Sequence, residues 1–149
     1  MNTANSTVNI LIAEDNNGHA ELIIEQIQEA GVNNPIRRFH DGQEVIDFLF
    51  SKEILDNGGQ EFLLLLDIRM PRMDGVEVLE KIKAHPVLRS LPVIMLTTTD
   101  DPREIERCYE LGCNSYVTKP VEFTAFTKAL RNLGLFLSVM RVPEVRGHG

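Results

Sequence analysis

A chain of 149 residues, 43% hydrophobic and 25% charged, holds one domain's worth of sequence and enough apolar side chain to bury a core. Its 22 acidic against 15 basic side chains leave a net charge of −7, which argues against a nucleic-acid-binding surface. The longest apolar run, FLLLL (62–66), falls far short of the ~20 residues a membrane span needs, and the polar start MNTANSTVN offers no signal peptide, so a cytoplasmic chain without membrane contact is expected.

Along the chain, apolar runs of strand length alternate with helix-period segments. VNILIA (8–13) predicts a buried strand. Residues 17–30 follow as a helix with Ala20, Ile23, Ile24, Ile27 and Ala30 on one face and Gly31 as its stop. PIRRFH (35–40) is a shorter, more polar strand suited to an edge. Asp41-Gly42-Gln43-Glu44 opens a second helix through about Lys52, and SKEILDNGGQE (51–61) lengthens the connection that follows. FLLLLD (62–67) is the most apolar strand and is expected at the centre of a sheet. Asp74-Gly75-Val76-Glu77 opens a third helix with Val76, Leu79 and Ile82 inward and Pro86 beyond its end. LPVIMLT (91–97) is the fourth strand. Asp101-Pro102-Arg103-Glu104 opens a fourth helix with Ile105, Cys108 and Leu111 inward and Gly112 as C-cap. SYVT (115–118) is the fifth strand, and a last helix runs from about Glu122 to Met140. Three helix starts share an Asp followed three residues later by Glu: the Asp can accept from first-turn N–H groups, and the Glu can reach back. Cys108 and Cys113 lack C-x-x-C spacing and read as reduced structural thiols.

Five β–α units imply a parallel sheet with helices on both faces and right-handed crossovers. Ligands of such sheets sit at the carboxyl ends of the strands. Those ends carry Glu14 and Asp15, Asp67, Thr97 and Lys119. Three carboxylates brought together repel and raise one another's pKa, a strain that a divalent cation relieves. Mg²⁺ takes one or two carboxylates with waters and a phosphate oxygen. A carboxylate, a hydroxyl, an ammonium and Mg²⁺ suit a transferring phosphoryl group, with Asp67 attacking in line. Rival chemistries lack their residues: there is no G-x-x-x-x-G-K-S/T loop, no second Asp two residues after Asp67, and no EF-hand spacing across Asp67–Gly75.

ILIAEDN (10–16), LLLLDIRMPRMDG (63–75), PVIMLTTT (92–99) and SYVTKP (115–120) together resemble the motif blocks of two-component response-regulator receiver domains, over residues 8–140 with short tails at 1–7 and 141–149. The resemblance implies a flavodoxin-like (βα)5 doubly wound sheet with strand order 2-1-3-4-5. It also implies that Asp67 accepts a phosphoryl group from a phosphohistidine of a sensor kinase, and that the chain promotes only its own phosphorylation and dephosphorylation. Glu14, Asp15, Asp67 and the backbone carbonyl of Arg69 would hold Mg²⁺, with Mn²⁺ able to substitute. Lys119 would contact the phosphoryl and Asp67 oxygens, Thr97 would bond the phosphoryl group, and Tyr116 would move between outward and inward positions as Thr97 shifts. The Lys119–Pro120 bond is expected to be cis.

Arg69, Thr98 and Thr99 stand at positions that modulate the site in this family, and Val121 replaces a frequent Phe. Arg69, bulky and cationic, is expected to shield the aspartyl phosphate. The long 51–61 connection and the apolar last helix (Phe123, Phe126, Leu130, Leu133, Phe136, Leu137, Met140) resemble single-domain receivers that partner bacteriophytochrome kinases, the cyanobacterial phytochrome-associated group above all. That implies a phytochrome-type kinase partner and a homodimer through the C-terminal helical face. Output is expected as a changed surface around the fourth helix, fifth strand and fifth helix. Two alternatives remain: a scaffold that binds its kinase without turnover, and a relay intermediate that passes phosphate to a histidine phosphotransfer protein.

Overall fold

FLLLLD has no polar face to offer water, so it can only be a strand covered on both sides, and all six of its residues are buried in the middle of the sheet. The computed structural model describes residues 8–56, 61–98 and 101–139. The tails, Thr99 and Met140 lie outside the described residues, as do positions 57–60 of the long connection.

The elements are β1 (Asn9–Ala13), α1 (Asn17–Glu29), β2 (Ile36–Phe39), α2 (Gly42–Leu49), α3 (Lys52–Asp56), β3 (Phe62–Asp67), α4 (Gly75–Ala84), β4 (Val93–Thr97), α5 (Pro102–Glu110), β5 (Ser115–Thr118), α6 (Phe123–Asn132) and α7 (Phe136–Val139). The five strands form one parallel sheet in the order β2-β1-β3-β4-β5, as expected, with the polar β2 at an edge. Alternate residues of each strand feed opposite layers. Leu11, Leu64, Leu66 and Met95 pack with Val45, Leu49, Leu79, Ile82 and Cys108 from α2, α4 and α5. Ile10, Ile12, Leu63, Leu65 and Ile94 pack with Ile23, Ile27, Phe126 and Leu130 from α1 and α6. Among the described residues no helix is long and apolar enough to cross a membrane.

The three Asp residues cap as their spacing predicts. Asp41 accepts from Glu44 N at 2.8 Å, Asp74 from Glu77 N at 2.9 Å and Asp101 from Arg103 N at 3.0 Å. Glu44 reaches back to accept from His40 N at 2.7 Å, one residue further out than the cap itself.

Three expectations need correction. The second helix stops at Leu49 rather than about Lys52, and the connection after it contains the short α3, whose Ile54 is buried. The last helix is not continuous. Gly134 adopts φ 72°, and Leu135 N then donates to Leu130 O at 2.8 Å, a helix-ending pattern open to glycine at low cost. In the fourth helix only Cys108 is fully buried, while Ile105 and Leu111 are half-buried, so α5 lies shallowly on the sheet.

Candidate functional site

Strand register assembles the site. Ala13 pairs with Leu66, so Glu14 comes level with Asp67. Thr97 pairs with Thr118, so Lys119 comes one step beyond Thr97, and Lys119 N donates to Thr97 O at 2.8 Å. The Lys119–Pro120 bond is cis, as expected. Beneath Asp67, α4 begins in direct backbone contact: Gly75 N donates to Ile68 O at 2.7 Å, and a Cβ at Gly75 would fall 2.2 Å from the Asp67 carbonyl oxygen. Only glycine fits there.

One carboxylate oxygen from each of Glu14, Asp15 and Asp67 lies within 4.8 Å of the others. Glu14 and Asp67 are buried, whereas Asp15 faces solvent. Lys119 Nζ is in contact with Glu14 Oε1 and lies 3.3 Å from Asp67 Oδ1. The second Glu14 oxygen accepts from Asn16 N at 3.1 Å. Burial, then the Glu14 carboxylate, push the Asp67 carboxyl up to about 6, with Asp15 adding to the effect and Lys119 opposing it. One ammonium therefore does not balance three carboxylates. Hard divalent cations bind carboxylate oxygens at about 2.0–2.6 Å, so three oxygens at this mutual separation fit around one such ion and would restore the balance.

Thr97 is buried, and its side chain is hydrogen-bonded to the side chain of Tyr116. The Tyr116 ring packs half-buried against the core beside β4, and burial pushes its hydroxyl up to about 12. Thr98 is exposed at the site's rim. Arg69 is also exposed, and its guanidinium reaches across to Glu104 on α5, with Nη2 3.2 Å from Oε2. Both cysteines are free and buried, and burial pushes the Cys113 thiol up to about 12, in line with inert structural thiols.

Sequence reasoning missed three contributors. Arg38 of β2 donates to the Glu14 carbonyl from Nε at 3.0 Å and Nη2 at 2.7 Å, and to Asn17 Oδ1 from Nη1 at 2.7 Å. It pins the acidic loop from outside, yet nothing in IRRF separates it from Arg37, which lies over the Phe48 ring. His19 Nδ1 stands 3.5 Å from Lys119 Nζ and 3.9 Å from Glu14 Oε2, in the first turn of α1, where the pattern shows only an exposed position. Glu104 is legible in the sequence only as part of a helix start.

The response regulator receiver domain family matches residues 10–131. A response regulator receiver domain from Rhodospirillum rubrum is 48% identical, with a TM-score of 0.73, covering 92% of this chain and 98% of that one. The bacteriophytochrome response regulator AtBRR is 36% identical with a TM-score of 0.78, covering 91% of this chain and 99% of its own. The Mn²⁺-bound form of response regulator Rcp1 is 29% identical with a TM-score of 0.69, covering 91% of this chain and 99% of its own.

Proposed function

The chain belongs to the response regulator receiver family, and we propose that its receiver domain, residues 8–140, takes a phosphoryl group onto Asp67 from a phosphohistidine of a sensor kinase and answers with a changed protein-binding surface. Receivers are phosphoacceptors that act on themselves rather than general enzymes. The observation that carries the assignment to Asp67 is the convergence of Glu14, Asp15 and Asp67 within 4.8 Å, with the Lys119 ammonium 3.3 Å from Asp67 Oδ1.

An Asp67 oxygen attacks phosphorus while the bond from phosphorus to the donor atom breaks and the donor departs. Lys119, released from Glu14 or shared with it, holds the new phosphoryl oxygens and the Asp67 carboxyl together. The Thr97 hydroxyl turns to a phosphoryl oxygen, and Tyr116, its present partner, follows it inward. A divalent ion held by Glu14, Asp15, Asp67 and the Arg69 carbonyl would neutralise the charge that gathers on the phosphoryl oxygens. Mg²⁺ is the ion of choice, with Mn²⁺ as substitute, a reading supported by the Mn²⁺-bound form of the relative Rcp1. Thr98, at the rim of the site, tunes the phosphoryl group's loss to water, and the family resemblance gives the same role to Thr99, which lies outside the described residues.

Similarity to AtBRR supports a kinase of the bacteriophytochrome type, met in the cytoplasm. Output would leave through α5, β5 and α6. The outer edge of β5 is unpaired among the described residues, with Tyr109 of α5 49% exposed and Phe123 of α6 60% exposed beside it, which supports a homodimer through this C-terminal face. Passing phosphate onward to a histidine phosphotransfer protein would run the same geometry in reverse. A scaffold without turnover has no need of the Lys119–Asp67 contact.

Acetyl phosphate with Mg²⁺, read by intact mass, tests the assignment. Wild type should gain one phosphoryl group and Asp67→Asn none. Equal gain in both would reject Asp67 as acceptor, and no gain in either would favour the scaffold.

A further inference from the structure

Arg69 is the cation nearest in sequence to the acceptor, yet its guanidinium is committed elsewhere. Its partner, Glu104, lies 35 residues on, in the first turn of α5. The pair is lopsided: the Arg69 side chain is 74% exposed and that of Glu104 22%. The other Glu104 oxygen, Oε1, is buried and has no hydrogen-bond partner among the described residues. The carboxylate lies close enough to Tyr116 and Cys108 for its charge to bear on both. A half-buried carboxylate with one oxygen unsatisfied is held at a cost, and Arg69 is the side-chain cation that offsets it.

We propose that Glu104 is a positioning residue that holds Arg69 away from the acceptor in the resting chain and yields it to the phosphoryl group once Asp67 is phosphorylated. The inference rests on Asp67 being the acceptor. Arg69 lies two residues beyond Asp67, past a bend at Ile68, so at most about 7 Å of chain separates them, within reach of an arginine side chain. With its cation 74% exposed the Arg69–Glu104 pair is screened by water, whereas a guanidinium meeting a phosphoryl group forms strong paired hydrogen bonds, so the phosphoryl group competes for Arg69 against the cost of leaving Glu104 unpaired. It has two consequences. Over the phosphoryl group, Arg69 obstructs the water that would attack phosphorus, break the bond to the Asp67 oxygen and release inorganic phosphate with the carboxylate restored. At α5, Glu104 loses its cation, and the first turn must move to let water reach the carboxylate. Phosphorylation is thereby reported to α5 by a second path beside that of Thr97 and Tyr116, with Tyr116 within reach of both.

Four chains test this: wild type, Glu104→Gln, Arg69→Ala and the double variant, each phosphorylated with acetyl phosphate and Mg²⁺ and followed by intact mass as phosphate is lost. Gln has the shape of Glu without its charge, and Arg69 is exposed, so folding is not at risk. Glu104→Gln should lengthen the phosphorylated lifetime about threefold, the factor that one weak exposed pair commands. Arg69→Ala should shorten it, and Glu104→Gln should then have no effect in the Arg69→Ala background. Amide signals of residues 103–106 should shift on phosphorylation of wild type and shift much less in Arg69→Ala. A Glu104→Gln effect that is absent, or equal in both backgrounds, overturns the inference while leaving the acceptor assignment standing. If none of the four chains gains a phosphoryl group, the acceptor assignment fails and the inference falls with it.

Discussion

Asp67 sits in tension with its neighbours. Without a divalent ion, burial and the Glu14 carboxylate hold its carboxyl at about 6 against an ordinary 3.8. The folded chain thus keeps a proton that the unfolded chain has already lost. The stability this lends is fully present below the ordinary value and is lost as pH rises through about 6. By pH 7 the ionised carboxylate costs folding on the order of 3 kcal/mol. Asp67→Asn should therefore be more stable than wild type by about that amount in urea unfolding at pH 7 with chelator present. The gap should close below pH 4 and shrink when millimolar Mg²⁺ is added. Equal stabilities at pH 7 would mean that Lys119 already balances the site. The site residues themselves were legible because each is a polar residue at the end of an apolar strand, a place where burial without a purpose is costly. Arg38 and His19 were not, since a basic residue on an edge strand or an exposed helix position is ordinarily solvated.

At the scale of elements, the strands and helix starts were legible because an apolar run flanked by an Asp cap admits few readings. The break in the last helix was not: Gly134 resembles a tolerated helix-interior glycine until the Leu135 N to Leu130 O bond is seen. The short α3 was hidden for a similar reason, having a single buried residue, Ile54, to mark it. The contact between α4 and β3 has a sharper consequence. Gly75→Ala would place a Cβ 2.2 Å from the Asp67 carbonyl oxygen, so the helix or the acceptor strand must move. A cost of about 2–3 kcal/mol is expected, together with slower phosphorylation by acetyl phosphate. Gly134→Ala meets no atom within 4 Å and should cost about 1 kcal/mol through its positive φ alone, with phosphorylation unchanged. Thermal unfolding alongside phosphorylation rates would separate the two.

Over the whole molecule, the acidity noted in the composition is partly local. Glu14, Asp15, Asp67 and Lys119 carry −2 of the chain's −7, concentrated at one end of the sheet. In the proposed function the signalling surface would be the shallow α5, the edge of β5 that is unpaired among the described residues, and the exposed Phe123. The apolar pattern of the last helix, read in sequence as dimer surface, is divided: Phe126 and Leu130 are buried in the chain's own core, and Phe123 stays outside. Sedimentation equilibrium should show dimers whose fraction rises with concentration, and Phe123→Glu with Tyr109→Glu should abolish them. A wild type that remains monomeric throughout would remove this face as a self-association surface. Whether phosphate goes to Asp67 can be read directly from the protein. Borohydride reduces an aspartyl phosphate to homoserine, so tandem mass spectrometry of the reduced protein reads the modified position. After acetyl phosphate and Mg²⁺, homoserine is predicted at position 67 and is predicted to vanish when chelator replaces Mg²⁺. Homoserine at position 15, the one-carbon-longer hydroxynorvaline at Glu14, or no homoserine at 67 in a chain that has gained a phosphoryl group, would rule out Asp67 as the acceptor.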